Sequence, residues 1–227
     1  MKKVLIIEDE ESIRSFLTVN FKMQKFIVVE AGSGEEGLVK AKKEKPDIVI
    51  LDVMLPGIDG FQVCEQLRTN FPDIGIIMST AKGQDLDKIK GLEFGADDYV
   101  VKPFNPLELI LRVKSLLRRM IDEVEKGETL KSGPFLLEVY SQKVYKHKVE
   151  VSLTPIEYLL MKLFMENPGK AFSRNELLDI VWGHHFVGDT KIVDVNIRRL
   201  RIKIEDDVAT SIYIETVWGT GYRWRKD

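Results

Sequence analysis

Five short apolar runs alternate with longer amphipathic segments along the first 120 residues. The runs lie at residues 3–7, 27–30, 48–51, 74–78 and 99–101 and are typical of strands buried on both faces of a sheet. The segments between them repeat apolar residues at helical spacing, which predicts a helix after each strand. Regular strand–helix alternation favours a parallel sheet with helices on both faces. We therefore expect a doubly wound, five-stranded α/β domain at residues 1–120.

The pattern changes after this domain. Residues 121–131 are charged and lack an apolar repeat, so we expect them to form a linker. Residues 135–151 alternate apolar and polar positions over short stretches, which predicts antiparallel strands. Three helices should follow, the first two beginning at the capping residues Thr154 and Ser173, and two further strands should flank a glycine-rich turn. The prediction for residues 132–227 is an α+β domain.

Composition excludes several functional classes. No apolar run approaches the ~20 residues that a membrane-spanning helix needs, so we expect no membrane partner. The one cysteine, Cys64, leaves no partner for an intrachain disulfide, which fits a reducing, cytoplasmic location. The net charge of −2 does not indicate a nucleic-acid partner by itself. The second domain, however, is mildly basic, and its basic residues are bunched.

Polar residues stand directly after the predicted strands of the first domain. Glu8 and Asp9, Asp52, Thr80 and Lys102 follow four different strands, and all would meet at one edge of a parallel sheet. Three carboxylates in one crevice repel each other and favour a bound cation. Their oxygens suit Mg²⁺, or alternatively Mn²⁺. With a lysine and a hydroxyl beside it, Asp52 would be equipped to attack a phosphoryl group in line.

These residues lie in motifs that resemble the receiver domain of bacterial response regulators. The motifs are Glu8-Asp9, Asp52 with Met54-Leu55-Pro56-Gly57-Ile58-Asp59-Gly60, Thr80-Ala81, and Gly95-Ala96-Asp97-Asp98-Tyr99 leading to Lys102-Pro103-Phe104. The resemblance covers residues 1–120 and implies a flavodoxin-like sheet with the strand order 2-1-3-4-5. It also implies that a sensor histidine kinase phosphorylates this domain.

The resemblance assigns a role to each residue of the acidic pocket. It implies that Asp52 accepts the phosphoryl group, that Thr80 and Lys102 bind the phosphoryl oxygens, and that the Lys102–Pro103 peptide bond is cis. Tyr99 would be a switch that turns inward as Thr80 closes on the phosphoryl group. The implied metal ligands are Glu8 through water, Asp9, Asp52 and the backbone carbonyl of Met54.

A third predicted helix of the second domain, residues 190–205, has an apolar stripe and a basic outer face. Val193, Ile197 and Leu200 repeat at helical spacing. With the preceding helix and the following hairpin, this pattern predicts a winged helix-turn-helix. Residues 194–201 and 219–223 resemble the winged-helix domain of OmpR/PhoB-type response regulators, in many of which an arginine stands at the position of Trp218. The residues implied to contact DNA are Lys191, Asn196, Arg198, Arg199, Arg201, Thr216, Thr220 and Arg223.

The resemblance further implies a homodimer that forms on phosphorylation. Mixed charges on the fourth and fifth helices and the last strand of the first domain would supply a self-complementary, two-fold interface. Candidate pairs across the axis are Lys90 with Glu108, and Asp97 or Asp98 with Arg112 or Lys114. The full set of candidate interface residues is Lys88, Lys90, Asp97, Asp98, Glu108, Arg112 and Lys114.

The combined prediction is a two-component response regulator that binds double-stranded promoter DNA and is not a turnover enzyme. Residues 183–189 correspond to a loop that contacts RNA polymerase in some relatives. One alternative is a haloacid-dehalogenase-like phosphatase, but its nucleophilic aspartate should end the first strand, with a second aspartate two residues on, and Glu8-Asp9-Glu10-Glu11 lacks that pattern. Another alternative is a constitutive DNA-binding protein with an inert receiver, against which the complete acidic pocket argues.

Overall fold

The structure is a computed structural model of the 227-residue chain. It describes residues 1–81, 94–119, 128–183, 186 and 189–226. The chain divides into two compact units, Met1–Leu117 and Arg118–Asp227. None of the helices in the described residues is both long enough and apolar enough to cross a membrane.

The first unit is built around a five-stranded parallel sheet. Its elements are β1 (Lys3–Ile7), α1 (Glu11–Met23), β2 (Ile27–Ala31), α2 (Gly34–Glu44), β3 (Ile48–Asp52), α3 (Gly60–Asn70), β4 (Gly75–Ala81), β5 (Asp98–Lys102) and α4 (Pro106–Arg119). The strand order is β2-β1-β3-β4-β5, which confirms the predicted order. A further helix predicted between β4 and β5 falls on residues that lie almost entirely outside the described ones.

The central strand β3 is buried along its whole length, as its apolar sequence predicts. Helix α3 begins immediately against the end of this strand. The Asp59 side chain accepts a hydrogen bond from the Gln62 backbone N–H at 2.8 Å and so caps the helix. A Cβ on Gly60 would lie 2.2 Å from the Asp52 carbonyl oxygen, so only glycine allows this close approach. Cys64, on the inner face of α3, is fully buried in the core as expected.

The second unit contains two antiparallel sheets and three helices. Its elements are β6 (Thr129–Ser132), β7 (Phe135–Glu138), β8 (Lys143–Lys146), β9 (Val149–Val151), α5 (Pro155–Glu166), β10 (Ala171–Ser173), α6 (Arg174–Val181), α7 (Lys191–Ile204), β11 (Ile214–Val217) and β12 (Gly221–Trp224). The sheets have the orders β6-β7-β8-β9 and β10-β12-β11. The predicted caps Thr154 and Ser173 are confirmed, and each forms a capping box: Thr154 pairs with Glu157 at the start of α5, and Ser173 pairs with Glu176 at the start of α6.

Two short strands of this unit were not predicted. Residues 129–131, expected to belong to the linker, lie in β6, where Leu130 pairs with Leu137 of β7. Strand β10 pairs with β12, with Phe172 opposite Tyr222. Both strands are only three or four residues long, and tertiary pairing rather than an apolar repeat decides their conformation.

Candidate functional site

The carboxyl ends of β1 and β3 bring three acidic side chains together. One carboxylate oxygen from each of Glu8, Asp9 and Asp52 lies within 4.8 Å of the others. The two strands are parallel neighbours, with Ile7 opposite Leu51, so the residues that follow them meet at one edge of the sheet. Glu8 and Asp52 are buried and Asp9 is exposed. This all-oxygen donor set suits a hard divalent cation such as Mg²⁺.

Lys102 brings a positive charge to the same pocket from the end of β5. Its Nζ lies 2.8 Å from Asp52 Oδ2 and 2.8 Å from Glu8 Oε2. Burial raises the pKa of Glu8 to about 7, although the hydrogen bond from Lys102 works in the opposite direction. Burial alone would lower the pKa of Lys102, but its hydrogen bonds to Asp52 and Glu8 raise it overall. The pocket therefore holds its lysine as a cation beside the Asp52 carboxylate.

Two further predicted residues lie on the strands next to this pocket. Thr80, near the end of β4, is buried, and its Oγ1 makes no hydrogen bond within the described part of the chain. A buried hydroxyl without a partner costs about 1–3 kcal/mol, which suits it to donate to an incoming oxyanion. Tyr99 of β5 is 8% exposed. The Lys102–Pro103 peptide bond is cis, as the resemblance implied. Met54 is exposed, and the role of its carbonyl stays a prediction.

Candidate residues of the expected dimer face on β5 and α4 have partners within the chain. Asp97 is fully buried, where it accepts hydrogen bonds from the Arg68 guanidinium and from the Ile76 backbone N–H, so it is not available to a second chain. Asp98 and Arg112, expected to pair across the axis, pair within the chain at 3.1 Å. The cause is burial, because a carboxylate in the interior needs a partner from its own fold.

Other candidates for this face have partners of their own or lie outside the described residues. Glu108 accepts from Arg112 at 2.8 Å, one turn further along α4. Lys114 is exposed and donates to Gln24 Oε1 at 2.6 Å. Lys88 and Lys90 lie outside the described residues. Among the candidate interface residues that the structure describes, Glu108 and Lys114 are therefore the ones that a second chain can reach.

The second candidate site is the outer face of α7. Lys191 and Arg198 are exposed, Ile202 is 58% exposed and Val195 is half-buried. These four positions follow the spacing i, i+4, i+7, i+11, so they form one stripe along the helix, which we call the outer stripe. The two positive charges alternate with the two apolar side chains along the stripe, and such a surface can meet phosphates and thymine methyl groups.

Three residues expected to contact DNA have partners within the domain. Asn196 is fully buried and donates to the Ile192 carbonyl at 2.9 Å. The prediction was wrong because Asn196 lies three residues after Val193 and four before Leu200, on the apolar stripe itself. The guanidinium of Arg199 lies 3.0 Å from the Glu157 carboxylate, and that of Arg201 donates to Ile214 O at 2.6 Å and Thr216 Oγ1 at 2.9 Å.

Three acids to which the sequence analysis gave no role in positioning α7 hold this helix in place. Glu157, fully buried on α5, accepts from the Thr154 backbone N–H at 2.8 Å and from Lys203 at 2.6 Å. Glu205 accepts from the backbone N–H groups of residues 212, 213 and 214, each at 2.9 Å. Asp194 accepts from Tyr222 Oη at 2.8 Å and from Arg174 Nε at 2.7 Å. The capping signature of Glu157 was visible in the sequence, but its ion pairs come from residues more than 40 positions away.

The hairpin of β11 and β12, here called the wing, follows α7. Thr216 and Thr220 are exposed, and their contact with DNA stays a prediction. Arg223 is paired with Glu215 of the neighbouring strand at 2.7 Å. Trp218 is 92% exposed at the wing tip.

Comparison with known proteins gives matches to both units. The family described as response regulator receiver domain matches residues 4–114, and transcriptional regulatory protein, C terminal, matches residues 148–224. The chain is 42% identical to the alkaline phosphatase synthesis transcriptional regulatory protein PhoP of Bacillus subtilis, over 98% of this chain and 96% of that protein. It is 41% identical to the transcriptional regulatory protein AfsQ1 of Streptomyces coelicolor, over 98% of both.

Solved structures are similar along the whole chain. A mutant of RitR matches with a TM-score of 0.80 and 27% identity, over 100% of both chains. The OmpR/PhoB homologue DrrB of Thermotoga maritima matches with a TM-score of 0.54 and 31% identity, again over 100% of both chains.

Proposed function

This chain belongs to the OmpR/PhoB-type response regulators, which join a receiver domain to a winged-helix DNA-binding domain, and we propose that Asp52 is its site of phosphorylation. The protein is a two-component response regulator and transcriptional regulator, and it is not a turnover enzyme. A kinase and DNA are accordingly its two classes of partner. A sensor histidine kinase is the proposed donor, and DNA binding implies that the protein works in the cytoplasm.

The observation that carries this proposal is the position of the Asp52 carboxylate. It lies 2.8 Å from Lys102 Nζ and beside Glu8 and Asp9. In the transfer, an Asp52 oxygen forms a bond to phosphorus, the P–N bond of the phosphohistidine donor breaks, and the leaving imidazole takes up a proton. Lys102 offsets the negative charge on the equatorial oxygens. A bound Mg²⁺, held by Glu8 through water, Asp9, Asp52 and the Met54 carbonyl, would further neutralise that charge.

The residues of β4 and β5 would convert phosphorylation into a change of surface. Thr80 brings a buried hydroxyl without a hydrogen-bond partner among the described residues, and the acyl phosphate supplies acceptors for it. Movement of Thr80 toward the phosphoryl group would open space that Tyr99 can occupy. We propose that this rearrangement favours a homodimer, with Glu108 and Lys114 as the described candidates for its interface.

The second unit would place the outer stripe of α7 in the major groove of promoter DNA. Lys191 and Arg198 supply the cations, and the exposed hydroxyls of Thr216 and Thr220 would face the backbone beside the wing. Arg223 is the remaining predicted contact and would reach a phosphate only by leaving Glu215. Any contact of residues 183–189 with RNA polymerase falls largely on residues outside the described ones.

Phosphorylation of the full chain by acetyl phosphate and Mg²⁺ tests the proposal. Phosphate-affinity gels and intact mass should show one phosphoryl group on the wild-type chain and none on Asp52→Asn. Asp73→Asn is the matched control, because Asp73 is an exposed carboxylate just before β4, at the opposite edge of the sheet. Phosphorylation of Asp52→Asn at the wild-type level would remove Asp52 from its role.

A further inference from the structure

The edge of the first sheet that lies opposite the acidic pocket is rich in lysine. Lys22 and Lys25 stand at the carboxyl end of α1, and Lys42, Lys43 and Lys45 stand at the carboxyl end of α2. All five side chains are exposed, and none of them forms an ion pair or hydrogen bond within the part of the chain that the structure describes. We call these five lysines the basic edge.

The starts of three neighbouring strands bring the two ends of the basic edge together. Lys25 precedes β2 by two residues, and Lys45 precedes β3 by three. Strand β1 lies between β2 and β3, and the Ile27 backbone N–H donates to the Lys2 carbonyl at 3.0 Å. Because neighbouring strands are about 4.8 Å apart, Lys25 and Lys45 stand on either side of the start of β1.

Two acids at this edge are already neutralised by other lysines. Asp47 pairs with Lys2 at 2.7 Å, and Glu44 pairs with Lys3 at 3.1 Å. The basic edge therefore keeps its positive charge. The exposed carboxylate of Asp73, just before β4, limits the positive surface to the starts of β2, β1 and β3.

The backbone of the basic edge gives a second, independent indication of function. Lys25 has a φ of 64° and Lys45 a φ of 46°, so both adopt the left-handed conformation. Glycine is the usual residue in this conformation at a helix end, because a Cβ there crowds the carbonyl oxygen. A cation also interacts favourably with the helix dipole, but Lys22, Lys42 and Lys43 supply that charge from the last turn without strain. Two lysines held at a cost in stability indicate that their charge has a use outside the fold.

The length of the linker places DNA within reach of the basic edge. The second unit is a DNA-binding domain, and nine residues, 120–128, separate the end of α4 from the start of β6. Nine residues span at most about 30 Å when fully extended. A chain bound to DNA through its second unit therefore presents the basic edge to the same duplex at a high effective concentration.

The chemistry of the basic edge also fits DNA. A duplex carries one phosphate charge per ~1.7 Å of its axis, and lysines on flexible stems can contact this regular array without a shaped pocket. We propose that the basic edge of the receiver domain binds the phosphates of DNA that flanks the operator. The proposal rests on DNA binding by the second unit and not on the placement of α7 in the major groove.

Affinity for duplexes of two lengths tests this proposal. The core duplex is selected from random sequences with the full wild-type chain, and the long duplex adds about 20 base pairs on each side. At ~3.4 Å per base pair each flank is about 68 Å long, which covers the reach of the linker and the first unit together. Fluorescence anisotropy is measured from about 50 to about 200 mM salt. The wild type should bind the long duplex more tightly and with a steeper dependence on salt.

The variant Lys25→Gly/Lys45→Gly removes both left-handed lysines. Each phosphate contact steepens the slope of log K against log salt by about 0.9, so the slope on the long duplex should become shallower by about 1.8. Over that fourfold range of salt, the wild type should lose about twelvefold more affinity than the variant. The two chains should bind the core duplex alike. The urea midpoint of the variant should not fall, because glycine readily adopts the left-handed conformation.

Lys148→Gly is the matched control. Lys148 is an exposed lysine with a φ of 69° between β8 and β9, so this change removes the same charge and the same backbone strain from the second unit. It should leave the dependence on duplex length unchanged. Lys42→Gln/Lys43→Gln removes two charges of the basic edge without affecting a left-handed residue and should reproduce the loss of slope. Lys42→Arg/Lys43→Arg should retain the wild-type slope.

Three results would overturn the proposal. Equal slopes for the wild type and Lys25→Gly/Lys45→Gly on the long duplex would show that flanking DNA is not the partner, and an acidic protein would then fit the edge. An equal loss of slope on both duplexes would show that the lysines act through the core site or through net charge. Association of the wild type without DNA in low-salt sedimentation, absent in the variant, would identify the acidic pocket of a second copy as the partner.

Stability and the outer stripe of α7 are tested separately. A lower urea midpoint for Lys25→Gly/Lys45→Gly with unchanged binding would identify the two lysines as structural cations of the helix ends and would also overturn the proposal. Arg198→Ala should weaken binding to both duplexes equally. Wild-type binding of Arg198→Ala to both would refute the placement of α7, whereas the dependence on flank length would still support the basic edge.

Discussion

Replacement of Glu157 by glutamine should destabilise the second unit through the ion pairs that hold α7. Glu157 is fully buried, and its carboxylate faces Arg199 at 3.0 Å and Lys203 at 2.6 Å. Glutamine keeps the shape of the side chain and can still cap α5 through its amide oxygen. What it removes is the negative charge between two cations.

The size of the effect follows from the burial of the partners. Removal of one member of a buried ion pair costs about 3–5 kcal/mol. The Arg199 side chain is 12% exposed and that of Lys203 is 32% exposed, so water can partly solvate the stranded lysine. We therefore expect a loss at the lower end, about 3 kcal/mol of unfolding free energy. Such a loss lowers the urea midpoint by roughly 1–3 M for a domain of this size.

Glu176→Gln is the matched control. Glu176 occupies the same capping-box position on α6, accepting from the Ser173 backbone N–H at 2.7 Å, but it is exposed and forms no buried ion pair with any residue that the structure describes. Its replacement should cost less than about 1 kcal/mol. All three tryptophans lie in the second unit, so fluorescence during urea titration follows that unit alone. Equal midpoints for Glu157→Gln and Glu176→Gln would refute the reasoning.

Three further predictions concern the first unit. Thr80→Ala should still accept a phosphoryl group on gels, because Asp52 is intact, but phosphorylation should no longer increase DNA affinity in fluorescence anisotropy; an undiminished increase would contradict the role of Thr80. Burial raises the pKa of Asp98 from 3.8 to about 6 in the folded chain, so the folded state binds the proton more tightly and stability should fall as pH rises from about 4 to about 6. Asp98→Asn should reduce that slope in urea titrations followed by circular dichroism, leaving the part that Glu8 contributes through its own raised pKa, and an unchanged slope would contradict the assignment. Gly60→Ala should place a methyl group against the Asp52 carbonyl and lower both stability and the phosphorylation rate, whereas Gly133→Ala, which meets no atom within 4 Å, should leave phosphorylation unchanged.

The receiver pocket could be predicted because its geometry follows from topology. In a parallel sheet every strand ends at the same edge, so residues far apart in sequence converge without any knowledge of side-chain packing. Glu8, Asp52 and Lys102 were assigned in this way. In the structure, Lys102 donates hydrogen bonds to both Glu8 and Asp52. The helix starts at Thr154 and Ser173 were equally accessible, since a capping box is a local signal.

The intrachain partners of the predicted contact residues could not be predicted, because a local pattern does not contain them. A basic helix face suggests DNA, but Arg199 is neutralised by Glu157, 42 positions earlier, and Arg201 is directed to β11. Charges near a helix surface suggest an interface, but Asp97 forms an ion pair with Arg68 inside the fold. In each case the charge was visible and its distant partner was not. A count of positive charges therefore overestimates the residues available for DNA.

The division of labour along α7 has a consequence for how this class of protein diversifies. Glu157, Asp194 and Glu205 secure the helix from its inner side and its ends, whereas Lys191, Arg198 and Ile202 of the outer stripe are exposed. Under the proposed placement of α7 in the major groove, substitutions at these outward positions would change operator preference without destabilising the fold. If α7 is moved into a paralogue together with Glu157, Asp194 and Glu205, the recipient should acquire the DNA-sequence preference of this protein. New regulatory circuits can then arise from duplicated genes by drift at a handful of surface codons.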